Sequence, residues 1–374
     1  MTINGLEILE CSTQEWSSWK FQMRNLIRTK DSLSKWINLS ERESEGIDST
    51  ASSYLWMITP YYASLMDPND ENCPIRLQSV PSPKEMDRNS SAGVDPVGDM
   101  ENGKTRRVVH KYPNRVILLV SDTCPVYCRH CTRKFHTTAI GGSYYAEEFR
   151  RDYKADFEYI RAHPEITDVL LTGGDPLILS DEKIEIIIKE LRSIDHIQVI
   201  RIGSRYPVFL PQRITPEFCA MLERYHPIWF STHFNHPVEI TDESAAAVEM
   251  LLRSGVPVQN QTVLLKGIND SADIMRELNR RLLAIRVRPY YLYHADNVDG
   301  VSHFRTSLRD GLDIMSRLHG AESGFSVPNY VLTTKLGKIP ISNSYYTEFG
   351  SSFLIRSFDG EVSDVSSYLR REDG

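Results

Sequence analysis

From Arg115 onward, the hydrophobic positions of the chain alternate between two spacings. Short runs rich in β-branched residues predict six strands: RVILLVSD, DVLLTGG, QVIRIGS, IWFSTHF, VQNQTVLL and RPYYLYHAD. Between them lie segments with apolar residues at helical spacing: EEFRRDYKADFEYIRAH, DEKIEIIIKELRSI, PEFCAMLERY, DESAAAVEMLLRSG and SADIMRELNRRLLAI. Strands that alternate with helices predict a parallel α/β sheet with right-handed crossovers, built as an open sheet or as a barrel.

Polar and glycine residues recur where these predicted strands end. They are Asp122, TGGD at 172–175, GSR at 203–205, THFNH at 232–236, Gln261 and HAD at 294–296. Each could be an ordinary loop residue, but the C-terminal ends of barrel strands form the rim on which active sites are built. Recurrence of such residues on one rim favours a partial (β/α)6 barrel over an open sheet.

The N-terminal part of the chain follows a different pattern. WSSWKFQMRNLIRT and ASSYLWMITPYYASLM predict helices, and a Pro-, Asp- and Ser-rich stretch at 80–107 predicts a linker or a long covering loop. We therefore expect an N-terminal helical region with a covering loop over 1–110, the barrel over 111–342 and a C-terminal tail over 343–374.

Composition narrows the function classes. The 374 residues are 41% hydrophobic and 25% charged, which suits a large buried core. A formal net charge of -7 argues against nucleic-acid binding or an anionic membrane surface and favours a small charged substrate. The chain has no signal-peptide pattern and no apolar run of the roughly 18 residues that a membrane span needs. We expect a cytoplasmic protein with reduced cysteines.

Three of the six cysteines lie together in DTCPVYCRHCTRKF, namely Cys124, Cys128 and Cys131. A zinc site would need a fourth ligand, and His130 has too little chain around it to reach the same ion without strain. Buried structural thiols do not suit so polar a loop. Iron–sulfur clusters are normally held by four thiolates, so three thiolates leave one iron open for other chemistry. The spacing therefore favours a cluster with a reactive iron.

The C-x3-C-x2-C spacing after a first barrel strand resembles the signature of radical S-adenosylmethionine enzymes. The surrounding segments resemble the lysine 2,3-aminomutase branch of that superfamily and cover most of residues 58–342. They are ITPYYASLMDPND, YPNRVILLVSDTCPVYCRHCTRKF, LLTGGDPL, IRIGSRYPVFLPQRIT, FSTHFNHPVEIT, NQTVLLKGIND, YLYHADNVDGVSHFRT and GKIP. The motif alone implies only the superfamily, whereas these segments in this order imply the branch.

The resemblance implies a reaction. The open iron of a [4Fe-4S] cluster binds S-adenosylmethionine, and reductive cleavage yields a 5'-deoxyadenosyl radical. That radical takes a hydrogen from an amino acid bound to pyridoxal 5'-phosphate, and the amino group moves from Cα to Cβ. The implied enzyme is an isomerase whose substrate is an amino acid, a small molecule, and which receives an electron from a flavodoxin- or ferredoxin-type donor.

The resemblance also assigns cofactor residues. Lys338 matches the lysine that bonds covalently to pyridoxal phosphate, with Lys335 as a nearby rival. Residues near S-adenosylmethionine are Gly173, Gly174, Asp175 and His233. Phosphate-binding residues are Lys111, Arg115 and Gln261, with Tyr112 alongside and Arg205 or Arg213 as further candidates. The family usually has arginine at position 111, where lysine offers a point charge instead of a planar fork.

The substrate residues depart in part from the family pattern. Arg133 matches the arginine that binds the substrate carboxylate, and Asp296 matches one of two aspartates that bind a side-chain ammonium. The family segment VVDAPGGGGK becomes YVLTTKLGK at 330–338, which places Thr333 at the second aspartate. The resemblance therefore implies a basic L-α-amino acid, lysine or arginine. A glutamate mutase is expected to carry a cation at position 296.

A second departure concerns zinc. Longer family members join subunits through zinc-binding cysteines, but this short form has Ser271 in GINDS and no cysteine after Cys219. We expect no zinc, and a homo-oligomer would use other surfaces. Two alternatives stay open: a radical enzyme on this scaffold that deaminates or epimerises its substrate, and a cluster- or zinc-bearing interaction module without enzymatic activity.

Overall fold

The fold is built on one large β-sheet that curves into a nearly closed barrel. We describe a computed structural model covering residues 4–87, 92–138, 140, 153–343, 345–349, 352–357 and 360–366. Its main sheet has nine strands in chain order: β1 Val108–Tyr112, β2 Arg115–Ser121, β3 Asp168–Gly173, β4 Val199–Gly203, β5 Ile228–Thr232, β6 Val258–Leu264, β7 Arg288–His294, β8 Asn329–Thr334 and β9 Gly337–Pro340.

Strands β2 to β8 run parallel, and β1 and β9 pair antiparallel at the two edges. The chain returns between parallel strands through helices packed outside the sheet: α8 Lys134–Thr137, α9 Lys154–Arg161, α10 Asp181–Arg192, α11 Tyr206–Phe209, α12 Pro216–Glu223, α13 Asp242–Arg253, α14 Ala272–Ala284 and α15 Leu308–Leu318. The partial barrel is confirmed, and the six predicted strands correspond to β2–β7. The seventh parallel strand, β8, was not predicted.

The crossover helices form because each carries one apolar face and a capped N-terminus. In α10, Ile184, Ile187, Ile188 and Leu191 recur at helical spacing and are buried. Ser180 caps that helix by accepting a hydrogen bond from the Lys183 backbone N–H. The predicted helix EEFRRDYKADFEYIRAH begins at residue 147, but only its part from 153 lies within the described residues, where α9 forms.

The N-terminal region is helical in short pieces: α1 Gly5–Ile8, α2 Thr13–Trp16, α3 Trp19–Arg24, α4 Lys30–Leu33, α5 Glu41–Thr50, α6 Pro60–Ser64 and α7 Pro74–Ser79. The prediction of two long helices is wrong in detail. Ile27 and Ile58 form an isolated antiparallel bridge, which holds both segments extended where helix was expected. Pro60 can only begin a helix, since its ring blocks the preceding turn.

The described parts of the covering loop, 80–87 and 92–107, pack on the barrel. Glu85 is completely buried there and binds two cations of the cysteine loop, Arg129 and Lys134, at 2.6 and 2.5 Å. Burial raises the pKa of Glu85, but these two cations outweigh it and hold the pKa at about 2. The Glu85 carboxylate therefore joins the covering loop to the cysteine loop.

The hydrophobic core is continuous from the N-terminal helices into the barrel. Ile27, Trp36 and Ile75 belong to the same buried cluster as Leu118 and Ile200 of the strands. The domain boundary at residue 110 stays a prediction, but side chains on both sides of it share one core.

The two edge strands of the barrel meet through side chains. The Lys338 backbone N–H donates to the Tyr112 hydroxyl at 2.9 Å. The Lys111 ammonium donates to the carbonyls of Thr334 and Val97, both at 2.7 Å. We call this contact between β1 and the β8–β9 hairpin the seam, because it joins the sheet edges without a backbone ladder.

The tail forms a separate antiparallel sheet of β10 Tyr346–Phe349, β11 Ser352–Arg356 and β12 Val362–Asp364. Among the described residues, no helix combines the length and apolar character required to cross a membrane.

Candidate active site

A cavity of about 320 Å³ lies inside the barrel and includes the C-terminal ends of several strands. Its volume falls in the range of small-molecule sites. Among its lining residues are all the predicted site residues except Arg213: Lys111, Tyr112, Arg115, Cys124, Cys128, Cys131, Arg133, Gly173, Gly174, Asp175, Arg205, His233, Gln261, Asp296, Thr333 and Lys338. The residues predicted at the C-terminal ends of the strands therefore do line the cavity.

The three cysteines of the motif face this cavity from the loop after β2. Burial raises the pKa of Cys124 well above its usual range, and Asp175 and the other two thiols raise it further. Burial also raises the pKa of Cys128, which Arg205 partly opposes. No three His, Cys, Asp or Glu side chains of the described chain group closely enough to hold a single metal ion. Cysteines of a cluster each bind a different iron, so three thiols around one cavity fit a cluster.

The glycines of TGGD are required by the cysteine loop itself. Gly173 has φ +129, and a Cβ there would lie 2.2 Å from the Ser121 carbonyl oxygen. A Cβ on Gly174 would lie 2.4 Å from the Thr123 carbonyl oxygen. The sequence interpretation gave these glycines to a cofactor, whereas the structure also gives them a role in packing.

Asp175 is buried directly after these glycines. Its carboxylate accepts hydrogen bonds from the Ser204 hydroxyl at 2.7 Å and the Arg205 backbone N–H at 2.8 Å. Burial raises its pKa to about 6 against these hydrogen bonds. Asp175 therefore ties the end of β3 to the end of β4.

The two arginines proposed as further phosphate ligands have other partners. Arg213 is fully buried outside the cavity and donates to the carbonyls of Leu177 and Leu179. It also contacts the rings of Trp19 and Phe218. The structure does not bring Arg213 to the site. Sequence alone gave no way to tell a packing arginine from a binding one.

Arg205 lines the cavity but contacts a cysteine. Its Nη1 group donates to Cys128 Sγ at 3.1 Å, and its Nη2 group pairs with Glu239 at 2.7 Å. His233 accepts from Arg205 Nε through its carbonyl. Burial, followed by the charge of Arg205, lowers the pKa of the His233 ring to about 3, so the ring is neutral at physiological pH.

Lys338 lies among tyrosines at the start of β9. Its ammonium donates to the Tyr293 hydroxyl and lies 5.2 and 4.9 Å from the ring centres of Tyr291 and Tyr293. The residue stays open to solvent through the cavity, but surrounding protein atoms and then Arg201 and Arg115 lower its pKa to about 8. A larger fraction of neutral amine suits attack on an aldehyde. These surroundings fit pyridoxal phosphate.

The rival Lys335 does not line the cavity. Its ammonium is exposed and lies 3.6 Å from Glu101. The choice between the two lysines therefore favours Lys338.

Cations near Lys338 suit a phosphate. Arg115 stacks 3.9 Å from the centre of the Tyr112 ring, and Gln261 is buried on β6. Lys111 is also present but is bound to the seam carbonyls. Arg201 lines the same wall and pairs with Asp168, and sequence reasoning missed it. Its position in the predicted strand QVIRIGS, whose end was expected at the site, could have identified it.

Carboxylates also line the cavity. Asp296 Oδ2 accepts a hydrogen bond from the Thr132 hydroxyl, while its Oδ1 atom is buried without a partner among the described residues. Burial raises the pKa of Asp296 to about 6, although Thr132 and Arg133 oppose the rise. Thr333 lines the same cavity.

Arg133 is held by an acid that sequence reasoning missed. Its Nε group donates to Asp99 at 2.7 Å, and Asp99 is buried in the covering loop. Neither Nη group of Arg133 has a hydrogen-bond partner among the described residues. An acid in an irregular polar stretch carries no periodic signal, so nothing in the sequence marked Asp99.

Comparisons with known proteins show the family of the chain. The Radical SAM superfamily matches residues 118–278. The L-lysine 2,3-aminomutase of Fusobacterium nucleatum is 45% identical over 94% of this chain and 82% of its own length. That of Clostridium subterminale is 43% identical over 98% and 88%. The glutamate 2,3-aminomutase of Clostridioides difficile is 41% identical over 96% and 84%.

Identity at this level over nearly the whole chain shows the family and an isomerase. Membership implies a [4Fe-4S] cluster, S-adenosylmethionine and pyridoxal phosphate, and a reductant for the cluster. The thiols, the low-pKa amine and the cationic wall of the cavity fit these groups. This chain belongs to the lysine 2,3-aminomutase family and is a radical S-adenosylmethionine 2,3-aminomutase.

Proposed function

We propose that the protein moves the α-amino group of a basic L-α-amino acid, lysine or arginine, to its β-carbon, with Lys338 as the attachment point for pyridoxal phosphate. The observation that carries the substrate class is Asp296, whose buried Oδ1 atom has no partner within the described chain. A buried carboxylate oxygen needs a donor, and a cationic side chain supplies it together with an opposite charge. A glutamate side chain would add a second anion there.

Arg133 is proposed to hold the substrate carboxylate. Asp99 fixes the Nε edge of the guanidinium at 2.7 Å, which leaves the two Nη groups for a bidentate carboxylate. Arg133 follows Cys131 by two residues, so a carboxylate held there keeps the substrate close to the source of the radical.

Lys338 is proposed to hold the cofactor and to release it to the substrate. Pyridoxal phosphate, when bound, supplies the carbonyl chemistry that carries the migrating amino group. The neighbouring arginines keep the lysine amine partly neutral, and the Tyr293 hydroxyl can exchange a proton with its Nζ atom. Arg115 and Gln261 are proposed to bind the phosphate.

Lysine and arginine as substrates would differ in how they use Thr333. A single ammonium is satisfied by Asp296 with few other acceptors, whereas a guanidinium presents five N–H donors and can also use the Thr333 hydroxyl. Both side chains carry the charge that Asp296 requires.

Product analysis tests the substrate class. The reconstituted enzyme is supplied anaerobically with both small cofactors, a reductant and L-lysine, L-arginine, L-ornithine or L-glutamate in parallel. We expect a β-isomer from lysine or arginine and none from glutamate. Formation of 5'-deoxyadenosine without any β-isomer of a basic amino acid overturns the proposal. A keto acid or a D-amino acid would assign deamination or epimerisation instead.

An Asp296→Asn variant sharpens the test. Loss of one charge from a buried pair costs about 3–5 kcal/mol, so turnover of the basic substrate should fall on the order of a hundredfold or more. Asp299→Asn is the matched control, because Asp299 is nearby but does not line the cavity. Equal turnover by Asp296→Asn and wild type would contradict the assignment.

We further propose a low-potential flavodoxin- or ferredoxin-type protein as the reductant, a cytoplasmic location that supplies it, and a zinc-free protein that can form a homo-oligomer. The cluster needs single electrons, which such carriers deliver. Metal analysis that finds iron without stoichiometric zinc would support the expected absence of zinc, and light scattering of the purified protein gives the oligomeric state.

A further inference from the structure

The side chain of Arg205 in the cavity wall is held by several hydrogen bonds. Its Nη1 group donates to Cys128 Sγ at 3.1 Å, and its Nε group donates to the His233 carbonyl at 2.8 Å. Its Nη2 group donates to Gln78 Oε1 at 2.6 Å and to Glu239 Oε1 at 2.7 Å. All three nitrogens are therefore committed within the protein.

The charge of Arg205 is balanced in place. Glu239 is completely buried and also accepts hydrogen bonds from the Tyr62 hydroxyl and the Gln78 amide, at 2.8 and 3.0 Å. Its other oxygen accepts from the Asn235 backbone N–H. The guanidinium cannot turn toward a phosphate bound at Arg115 and Gln261 without leaving the Glu239 carboxylate without its cation. An unpaired charge is costly in a buried site.

We propose that Arg205 is a positioning residue for the iron–sulfur cluster, which it serves by donating a charged N–H···S hydrogen bond to the Cys128 thiolate. Hydrogen bonds to cluster sulfurs and nearby charge are among the determinants of reduction potential. One electron from the low-potential donor enters the cluster and makes it more negative by one charge, with no bond made or broken. A cation beside a ligating sulfur stabilises that reduced state more than the oxidised state, so Arg205 raises the potential.

This role differs from the phosphate role that the sequence suggested, and it does not depend on which amino acid is the substrate. It uses only the family's cluster and the contacts of residues 78, 128, 205 and 239. If Arg205 instead bound phosphate, its loss would weaken cofactor affinity and leave the cluster potential unchanged.

The experiment compares Arg205→Met, Arg205→Gln and Arg205→Lys by the midpoint potential of the reconstituted cluster, followed by electron paramagnetic resonance during a redox titration. We expect Met and Gln to shift the potential to more negative values and Lys, which keeps the charge, to restore part of the shift. Pyridoxal phosphate affinity should stay at the wild-type value in all three. Arg213→Met is the matched control, because Arg213 is equally buried but contacts no cysteine, and its potential should not move.

Wild-type potential in Arg205→Gln with a complete cluster overturns the proposal, and so does weakened cofactor binding at an unchanged potential. Iron content and circular dichroism identify variants that fold and hold the cluster. If Arg205→Met fails to do so, Arg205→Gln decides, because its amide keeps a hydrogen-bonding group in the buried site but carries no charge.

Discussion

The amine of Lys338 lies about 5 Å from the ring centres of both Tyr291 and Tyr293 and near the charges of Arg201 and Arg115. An ammonium in such a place loses hydration and meets like charges, and both effects favour its neutral form. The lysine is therefore prepared for nucleophilic chemistry before any cofactor arrives.

This environment predicts the pH dependence of cofactor attachment. The pKa of Lys338 falls from its ordinary 10.5 to about 8, so the neutral fraction reaches one half near pH 8 and levels off at higher pH. The rate of covalent pyridoxal phosphate attachment to the protein without substrate, measured by absorbance after rapid mixing, should follow the same curve. Lys335→Ala should behave as wild type and Lys338→Ala should not attach the cofactor. A rate that still climbs steeply at pH 10 would contradict the lowered pKa.

At the residue scale, sequence could predict side chains that belong to a spaced motif. Cys124, Cys128 and Cys131 were predictable because their chemistry fixes their spacing. Asp99 and Arg201 were not, because each reaches the cavity through long-range packing. Arg205 was found as a site residue, but its contact with Glu239 was not, since a sequence does not show which acid will pack against it.

The seam is the main element-scale feature of the site. It joins β1 to the β8–β9 hairpin through Tyr112 and Lys111 rather than through a ladder of backbone hydrogen bonds. The strand that carries Lys338 therefore depends on one tyrosine hydroxyl for its outer contact.

Tyr112→Phe should loosen that strand. Loss of one hydrogen bond costs about 1 kcal/mol, or roughly fivefold in a local opening equilibrium, so the Lys338 amide should exchange hydrogen several times faster. Hydrogen exchange read by mass spectrometry checks this. Tyr345→Phe is the control, because the Tyr345 hydroxyl has no hydrogen-bond partner among the described residues. Unchanged exchange at Lys338 in Tyr112→Phe would show that the seam bond does not hold the strand.

Element-scale prediction worked where hydrophobic pattern and packing agree. Each strand from β2 to β7 is a run rich in β-branched or aromatic residues with some residues buried, so its pattern specified it. β8 has the sequence NYVLTT, in which only Tyr330 and Val331 are buried. It was missed because so short a buried run followed by polar residues gives a weak strand pattern. Short N-terminal helices were merged because the bridge between Ile27 and Ile58 is a tertiary contact.

At the scale of the whole molecule, the N-terminal region supplies part of the barrel's interior. Its residues share the core cluster with the strands, and Glu85 neutralises two cations of the cysteine loop. Gln78 and Asp99 reach the cavity arginines from the same region. The hydrophobic pattern along the chain does not predict which distant segment packs on which face of the barrel.

A chain that begins at residue 111 should therefore fail to fold cooperatively. It would expose the shared core and leave Arg129 and Lys134 buried without Glu85, which costs several kcal/mol. Thermal unfolding followed by circular dichroism tests this. A chain that ends at Tyr345 is the control, since of the described elements it loses only the separate β10–β12 sheet, and it should keep its transition. A sharp transition in the 111–374 chain would show that the barrel is independent.

The glycines at 173 and 174 press on the backbone of residues 121–123 so closely that any larger side chain must displace the end of β2. Selection for folding alone would hold both positions constant, even in descendants that had lost every cofactor. If both glycines are invariant across a lineage, the close backbone contacts are sufficient to explain it. Such invariance alone is therefore no evidence for what the protein binds.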